Sequence, residues 1–206
     1  FGILTYALAA NIQYGHNKCE NNDGLANFNL NTFLNKTWYL THATSSSRVT
    51  EHTICRDYEP IKQENGTIYI GYGYDHSDGF GDATYSRYHC HGNQDTTKKY
   101  QFNFDCYSEG DRVESFQVIV TVIATDNNKY VLLYRCVTAG TLTEDNVFVL
   151  YNTKEPTDYE VTTILTRYGM SLDKFISRNK ASCTELQERK EKENLEILKR
   201  FKIISK

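Results

Sequence analysis

Two stretches of the sequence hold side chains of the types and spacing that metal or acid–base chemistry requires. The first, YGYDHSDGFGD (residues 72–82), carries the carboxylates Asp75, Asp78 and Asp82 and faintly resembles a Ca²⁺-binding loop. It lacks the glutamate at the twelfth position of an EF-hand loop, and no helical sequence flanks it. We therefore interpret this run as a β-turn.

The second stretch, HCHG (residues 89–92), offers two imidazoles beside a thiol. On a strand, His89 and His91 lie on one face and Cys90 on the other. Because we expect the cysteines to be oxidised, we expect no metal here. The sequence also contains no G-x-S-x-G, H-E-x-x-H, P-loop or G-x-G-x-x-G motif. We therefore expect neither an enzyme nor a cofactor.

The acidic residues of the sequence are concentrated in one set of predicted turns. In an up-and-down barrel, the turns near 44–51, 75–82, 107–112 and 139–145 share one end. They hold two arginines against eight acidic residues, namely Glu51, Asp75, Asp78, Asp82, Glu109, Asp111, Glu144 and Asp145. An acidic rim concentrates cations. The pattern predicts a small cation as the ligand; loop acids that only aid solubility are the alternative.

The composition indicates an ordered domain that binds neither nucleic acid nor membrane. The 206 residues suit one domain, or one domain plus a tail. Aromatic residues make up 13%, including 16 Tyr, which argues against disorder. No apolar run approaches the roughly 20 residues of a membrane span, and the net charge of −3 argues against a nucleic-acid partner. We expect a soluble monomer.

The N-terminus and the cysteines together indicate secretion. FGILTYALAA (residues 1–10) is apolar, uncharged and ends in small residues, like a signal peptide whose basic start is missing. A first core strand is the alternative. N-x-T sequons occur at Asn35 and Asn65. In a secreted chain the six Cys are expected to form three disulfides, for which 15 pairings exist.

The elements that position these residues are predicted to be mostly strands. Polar turns rich in Gly, Asn and Asp separate eight β-rich segments with a period of two, at 38–43, 52–61, 66–75, 83–91, 99–107, 113–125, 129–137 and 146–152. Short connections require antiparallel pairing. Eight such strands close into a barrel that holds one small ligand; a two-sheet sandwich is the alternative.

The rest of the chain is predicted to be helical. Apolar residues recur at helical spacing over 157–178, which predicts an amphipathic helix packed on the barrel wall. The stretch 184–206 is strongly charged and is predicted to be a solvated helix. The expected domains are thus a signal-peptide remnant (1–10), a barrel domain with its packed helix (11–180) and a charged C-terminal helix (181–206).

Six stretches occur in the order and spacing of a known family. They are NTFLNKTWYLTHAT (31–44), ICRDYEP (54–60), IGYGYD (70–75), LLYRCVTAG (132–140), NVFVLYN (146–152) and SLDKFISRNKASC (171–183). In these the chain resembles the salivary lipocalins of blood-feeding triatomine bugs, the nitrophorin and triabin group. The lipocalin G-x-W motif is degraded, since Lys36 stands where Gly is usual, two residues before Trp38.

The resemblance implies an all-β, eight-stranded antiparallel up-and-down lipocalin barrel with C-terminal α-helices and a ligand cavity. We expect Trp38 to close the floor of this barrel. It implies the disulfides Cys19–Cys136 and Cys55–Cys183. Cys90 and Cys106 remain, on successive predicted strands, where they can form a third bridge. Haem binding in the family uses a His on the third strand, but Gly73 takes that position here and His76 has the opposite parity.

Among the family's ligands, the acidic rim favours a biogenic amine such as serotonin or noradrenaline, sequestered without turnover in saliva. Such a protein would counter vasoconstriction, platelet activation and inflammation. The alternatives are an eicosanoid, ADP, haem with nitric oxide, or inhibition of thrombin or platelets through the surface. For the ammonium group we expect Asp75, Glu144 or Asp145, then Asp82 or Glu51. Strand parity predicts these inward-facing residues: Leu40, His42, Ile54, Tyr69, Gly71, Gly73, Phe102, Phe104, Gln117, Ile119, Leu133 and Val147.

Overall fold

One antiparallel sheet curls around an apolar interior in the computed structural model, which describes residues 11–77, 83–109, 113–181 and 183. Within these residues the sheet has ten strands, in the order β10-β1-β9-β8-β7-β6-β5-β4-β3, with β2 also paired to β1. The strands are β1 (Trp38–Thr44), β2 (Asp57–Tyr58), β3 (Ile61–Lys62), β4 (Ile68–Ser77), β5 (Ala83–Gln94), β6 (Gln101–Ser108), β7 (Ser115–Thr125), β8 (Tyr130–Ala139), β9 (Leu142–Tyr151) and β10 (Phe175–Ser177). The helices are α1 (Leu30–Phe33) and α2 (Asp158–Thr166), followed by 3₁₀ turns at Leu172–Lys174 and Arg178–Lys180.

The predicted up-and-down antiparallel architecture is confirmed, because each strand from β4 to β9 pairs with its sequence neighbour. The predicted strand over 52–61 is wrong. Only two short strands form there, because the backbone amide of Arg56 turns back to the carbonyl of Ile54 at 2.7 Å and Pro60 has no amide hydrogen to donate. Strand β2 pairs with β1 and β3 pairs with β4, so the 57–62 segment links the two ends of the sheet.

Buried apolar residues form two clusters, one on each face of the curled sheet. The inner cluster lies inside the curl and includes Leu40, Phe104 and Phe148. The outer cluster lies between strands β7–β9 and helix α2, where Val149 packs with Leu165. Strands β7–β9 are therefore apolar on both faces. On such strands the sequence pattern does not show which side chains face inward.

Helix α2 is shorter than predicted. It begins at a capping box in which Thr157 and Glu160 satisfy each other's backbone amides, and it buries Val161, Ile164 and Leu165. Gly169, with a φ of +68°, stops it in the left-handed conformation that favours glycine. The predicted continuation to residue 178 is therefore wrong; Phe175–Ser177 instead form β10 against β1.

Three disulfides cross-link the described residues. Cys19–Cys136 attaches the N-terminal segment to β8, and Cys55–Cys183 attaches the segment before β2 to the chain after β10. Cys90–Cys106 joins β5 to β6, where the two residues are directly opposite. These are the pairings that the resemblance and the strand positions led us to expect.

Two predicted segments lie outside the described residues: the signal-peptide remnant at 1–10 and the charged helix at 184–206. Where the chain is described, no helix has the length and apolar character needed to cross a membrane.

Candidate functional site

The inner face of the sheet encloses a narrow apolar cavity of about 70 Å³. Phe33 lies at one end of the cavity, beside Trp38. The two rings are stacked, with their centres 5.5 Å apart. The Trp38 indole donates a 2.9 Å hydrogen bond to the Phe33 carbonyl, which closes this floor. The lining consists of Phe33, Tyr58, Ile68, Ile70, Tyr72, Cys90, Phe102, Phe104, Val118, Val120, Val122, Leu133, Arg135, Phe148 and Leu150.

Arg135 is the charged residue of this lining, and it is 6% exposed. Its guanidinium lies 5.4 Å from the centre of the Phe148 ring, and Nη1 donates a long, 3.5 Å hydrogen bond to Oδ1 of Asn146. No carboxylate occurs among the described residues that line the cavity. A buried charge without a counter-charge costs several kcal/mol, so this part of the site favours an anion.

A second buried arginine, Arg56, lies in the segment between β1 and β2. Its guanidinium is 4.0 Å from the centre of the Tyr74 ring, Nε donates to the carbonyl of Thr53 at 2.6 Å, and Nη2 donates to the carbonyl of Arg48. Burial raises the pKa of Tyr72 to about 12, while the charges of Arg135 and Arg56 act in the opposite direction.

At the mouth, Arg48 forms an ionic bridge between separate elements. It pairs with Glu114, just before β7, and its Nε lies 3.8 Å from a carboxylate oxygen of Glu144 on β9. Its guanidinium also lies 5.2 Å from the centre of the Phe116 ring. The segment between β1 and β2 is thereby attached to the rim of the sheet.

Five of the predicted inward-facing residues lie on the inner side. Phe102, Phe104 and Leu133 line the cavity. Leu40 and Ile54 are fully buried in the same inner cluster.

The predicted inward orientation is wrong on β4, where Ile70 and Tyr72 face the cavity instead. Tyr69 lies on the outer face, with its hydroxyl 2.8 Å from Nδ1 of His89. A methyl group on Gly71 would lie 2.8 Å from the Tyr69 hydroxyl, and one on Gly73 would lie 2.2 Å from that of Tyr85. These glycines leave room for tyrosine rings that cover the outer face.

Four more predictions of inward orientation are wrong. On β7, Val118 and Val120 face inward, so Gln117 and Ile119 face outward. Val147 belongs to the outer cluster that α2 covers. His42 faces outward as well, because a β-bulge between Leu40 and His42 shifts the pairing with β9 by one residue.

None of the predicted ammonium-binding carboxylates whose side chains are described lines the cavity. Asp145 faces outward and is buried, where it accepts hydrogen bonds from the Tyr134 hydroxyl (3.0 Å) and the Gly15 amide (2.7 Å). Glu144 lies at the mouth in the Arg48 bridge, and Glu51 is exposed. Asp82 and the side chain of Asp75 lie outside what the structure describes.

The residues that sequence reasoning missed are Arg135, Asn146, Tyr58 and Tyr72. A signal for Arg135 was available, because it lies two residues after Leu133 and therefore shares its inward face. Asn146 faces inward because Phe148 and Leu150 do, whereas the sequence pattern predicts Val147 on that face of β9. The two histidines of HCHG lie on the outer face of β5, and no metal-binding group of three His, Cys, Asp or Glu residues occurs in the described parts of the chain.

A curled antiparallel sheet with a buried cavity and a helix on its outer wall defines a lipocalin, a class of binding proteins rather than enzymes. The model of the Triabin family matches residues 10–165. The chain therefore belongs to the Triabin family, among the salivary lipocalins of triatomine bugs.

Relatives and solved structures agree with this assignment. Triafestin-1 of Triatoma infestans is 32% identical over 202 residues, covering 93% of this chain and 94% of the relative. Pallidipin of Meccus pallidipennis is 29% identical over 190 residues, covering 90% and 95%. The tryptamine complex of the amine-binding protein of Rhodnius prolixus gives a TM-score of 0.62 at 18% identity, covering 84% and 93%. A mutant LTBP1 in complex with leukotriene C4 gives 0.51 at 23%, covering 72% and 86%. At these identities the solved structures support the fold alone.

Proposed function

We propose that this protein sequesters a slender apolar ligand with an anionic headgroup, the chemistry of a fatty-acid-derived mediator, in the cavity of its barrel. The observation that carries the proposal is the position of Arg135, a nearly buried guanidinium in an apolar cavity whose described lining has no carboxylate. A ligand carboxylate would supply the missing counter-charge and relieve the cost of burial.

The rest of the lining suits a hydrocarbon chain. From Arg135 towards Phe33 the described walls are aliphatic and aromatic, and each methylene group buried there contributes about 0.8 kcal/mol. The cavity is narrow, so a flexible chain fits with less rearrangement of the side chains than a rigid ring system does. A protein of the same fold binds leukotriene C4.

A biogenic amine, the ligand expected from the acidic loops, is the second candidate. Glu144 favours it, because its carboxylate lies at the mouth with one buried oxygen that accepts no hydrogen bond from the described residues. A protein of the same fold binds tryptamine. Against this candidate, Glu144 is already paired with Arg48, and the cationic Arg135 would repel an ammonium group inside the cavity.

Either ligand would be removed by stoichiometric binding, with no turnover. We further propose that the protein is a monomer secreted into saliva. The three disulfides support an oxidising, extracellular compartment, and membership of the triatomine salivary group supports saliva as the fluid.

Isothermal titration calorimetry with arachidonate, its methyl ester and serotonin tests the proposal. We expect arachidonate to bind with 1:1 stoichiometry and the ester to bind more weakly, because the ester lacks the negative charge. Arg135→Gln should weaken arachidonate binding about 10- to 100-fold, the loss of a charge-assisted contact of about 1.5–3 kcal/mol. The single Trp, Trp38, provides a second readout through its fluorescence, because it lies at the cavity floor.

The control is Arg167→Gln, which removes a guanidinium from an exposed position at the end of α2. It should bind arachidonate like the wild type. Equal affinity for acid and ester, or heat with serotonin and none with arachidonate, would overturn the proposal.

A further inference from the structure

We propose that Asn146 is a specificity-determining residue: its neutral amide leaves Arg135 uncompensated and so sets the sign of the ligand charge that the cavity accepts. This inference rests on the proposed function. It goes further by assigning the charge preference to one pair of neighbouring positions, 135 and 146.

The two residues face each other directly. Arg135 and Asn146 are paired in the register of β8 and β9, and both are buried, Asn146 completely. The amide nitrogen of Asn146 donates a 2.8 Å hydrogen bond to the carbonyl of Thr44. Because a backbone carbonyl can only accept, this contact fixes the orientation of the amide. Oδ1 must then point towards Arg135 and towards the hydroxyl of Ser46, which donates to it at 3.3 Å.

An amide oxygen satisfies one donor of the guanidinium without neutralising its charge. At 3.5 Å the contact is long. It holds Arg135 in place, and the guanidinium can still donate hydrogen bonds to a ligand oxygen. A carboxylate at position 146 would instead form a buried ion pair with Arg135 and occupy that capacity.

Substitutions at positions 135 and 146 therefore change the charge presented to the cavity, because Arg135 is the charged residue of the described lining and Asn146 is in contact with it. The other buried guanidinium nearby, that of Arg56, donates to the carbonyls of Thr53 and Arg48 and is unchanged by substitutions at this pair. Arg with Asn makes this pair of residues cationic, Arg with Asp makes it neutral, and Gln with Asp makes it anionic, and the charge of Arg56 adds to the pair in each case.

Four variants test the inference, each titrated with arachidonate and with serotonin. Asn146→Asp should weaken arachidonate binding at least tenfold, whereas Asn146→Ser, which keeps the position neutral, should stay within about threefold of the wild type. The double variant Arg135→Gln with Asn146→Asp should lose arachidonate and gain serotonin. The control Asn103→Asp places the same new charge on the exposed outer face of β6 and should change neither affinity.

The outcomes separate this inference from the proposed function. If the wild type does not bind arachidonate, the proposed function fails and the inference falls with it. If the wild type binds and Arg135→Gln does not, but Asn146→Asp binds like the wild type, the inference alone is overturned. Equal losses in Asn146→Ser and Asn146→Asp would show a purely structural role and would also overturn it. Should Asn146→Asp fail to fold, as judged by circular dichroism, the serine and double variants decide.

Discussion

At the scale of single residues, His42 makes stability depend on pH. Burial lowers the pKa of His42 to about 4, outweighing the opposite effect of Asp158, and Lys180 lowers it further. Its Nε2 is buried without a hydrogen-bond partner among the described residues. An unfolded histidine titrates near 6.5, so the unfolded chain binds the proton first as the pH falls. The stabilisation is therefore complete above about pH 6.5 and is lost towards pH 4.

We predict that the wild type loses up to about 3 kcal/mol of unfolding free energy between pH 6.5 and pH 4 through this group, at 1.36 kcal/mol per pKa unit. Urea unfolding at several pH values measures the loss. His42→Gln should show a shallower dependence, and His52→Gln, in an exposed loop, should follow the wild type. Parallel curves for His42→Gln and the wild type would contradict the assignment.

The sequence predicts which side chains of a strand face the inside of the sheet only where the other face of that strand is polar. On β6, Phe102 and Phe104 alternate with the outward-facing Gln101 and Asn103, and parity placed them correctly. On β7 to β9 the outer face is also apolar, because α2 covers it, so a shift of one residue leaves the pattern equally apolar. No sequence signal revealed the bulge that turns His42 outward.

At the scale of elements, the segment between β1 and β2 packs against the inner cluster at the end of the sheet that carries Glu114 and Glu144. Val49 and Ile54 of this segment are fully buried in the inner cluster, and Arg48 attaches the segment to Glu114 and Glu144. The strand predicted over 52–61 is replaced by the short strands β2 and β3. The predicted acidic rim is partly neutralised, because Arg48 pairs with Glu144. Sequence alone did not show that Glu144 would be paired with the arginine of a neighbouring turn.

We predict that Arg48→Ala speeds ligand dissociation several-fold while lowering the unfolding free energy by only about 1 kcal/mol. The side chains of Arg48 and Glu114 are 20% and 43% exposed, and ion pairs open to solvent contribute little to stability. Stopped-flow displacement of bound arachidonate measures the rate, and chemical denaturation measures the stability. Lys174→Ala, which breaks an exposed pair with Asp173, is the matched control. An unchanged dissociation rate would show that this segment does not control release.

At the scale of the whole molecule, the disulfides fix how the N-terminal segment and the C-terminal region are attached to the sheet. The fold class was predictable because strand periodicity and short turns leave few architectures. The disulfide pairing followed from family resemblance, since neither spacing nor periodicity selects among 15 possibilities. What could not be predicted was which bond would touch the ligand site. Cys90 lines the cavity, whereas Cys136 lies in the outer cluster.

We predict that loss of Cys19–Cys136 lowers the unfolding free energy more than loss of Cys90–Cys106, and that only loss of Cys90–Cys106 changes the ligand affinity. Cys19 and Cys136 are 117 residues apart, and Cys90 and Cys106 only 16. Because loop-closure entropy grows with separation, replacing the first pair with alanines should cost about 5 kcal/mol and the second about 3 kcal/mol. Replacing Cys90 and Cys106 also removes two sulfur atoms from the cavity side of β5 and β6. Arachidonate affinity should therefore change in that variant and remain at the wild-type value in Cys19→Ala/Cys136→Ala, measured at a temperature where both are folded. The reverse order of stabilities, or an affinity change confined to the Cys19–Cys136 variant, would contradict this division between attachment and ligand site.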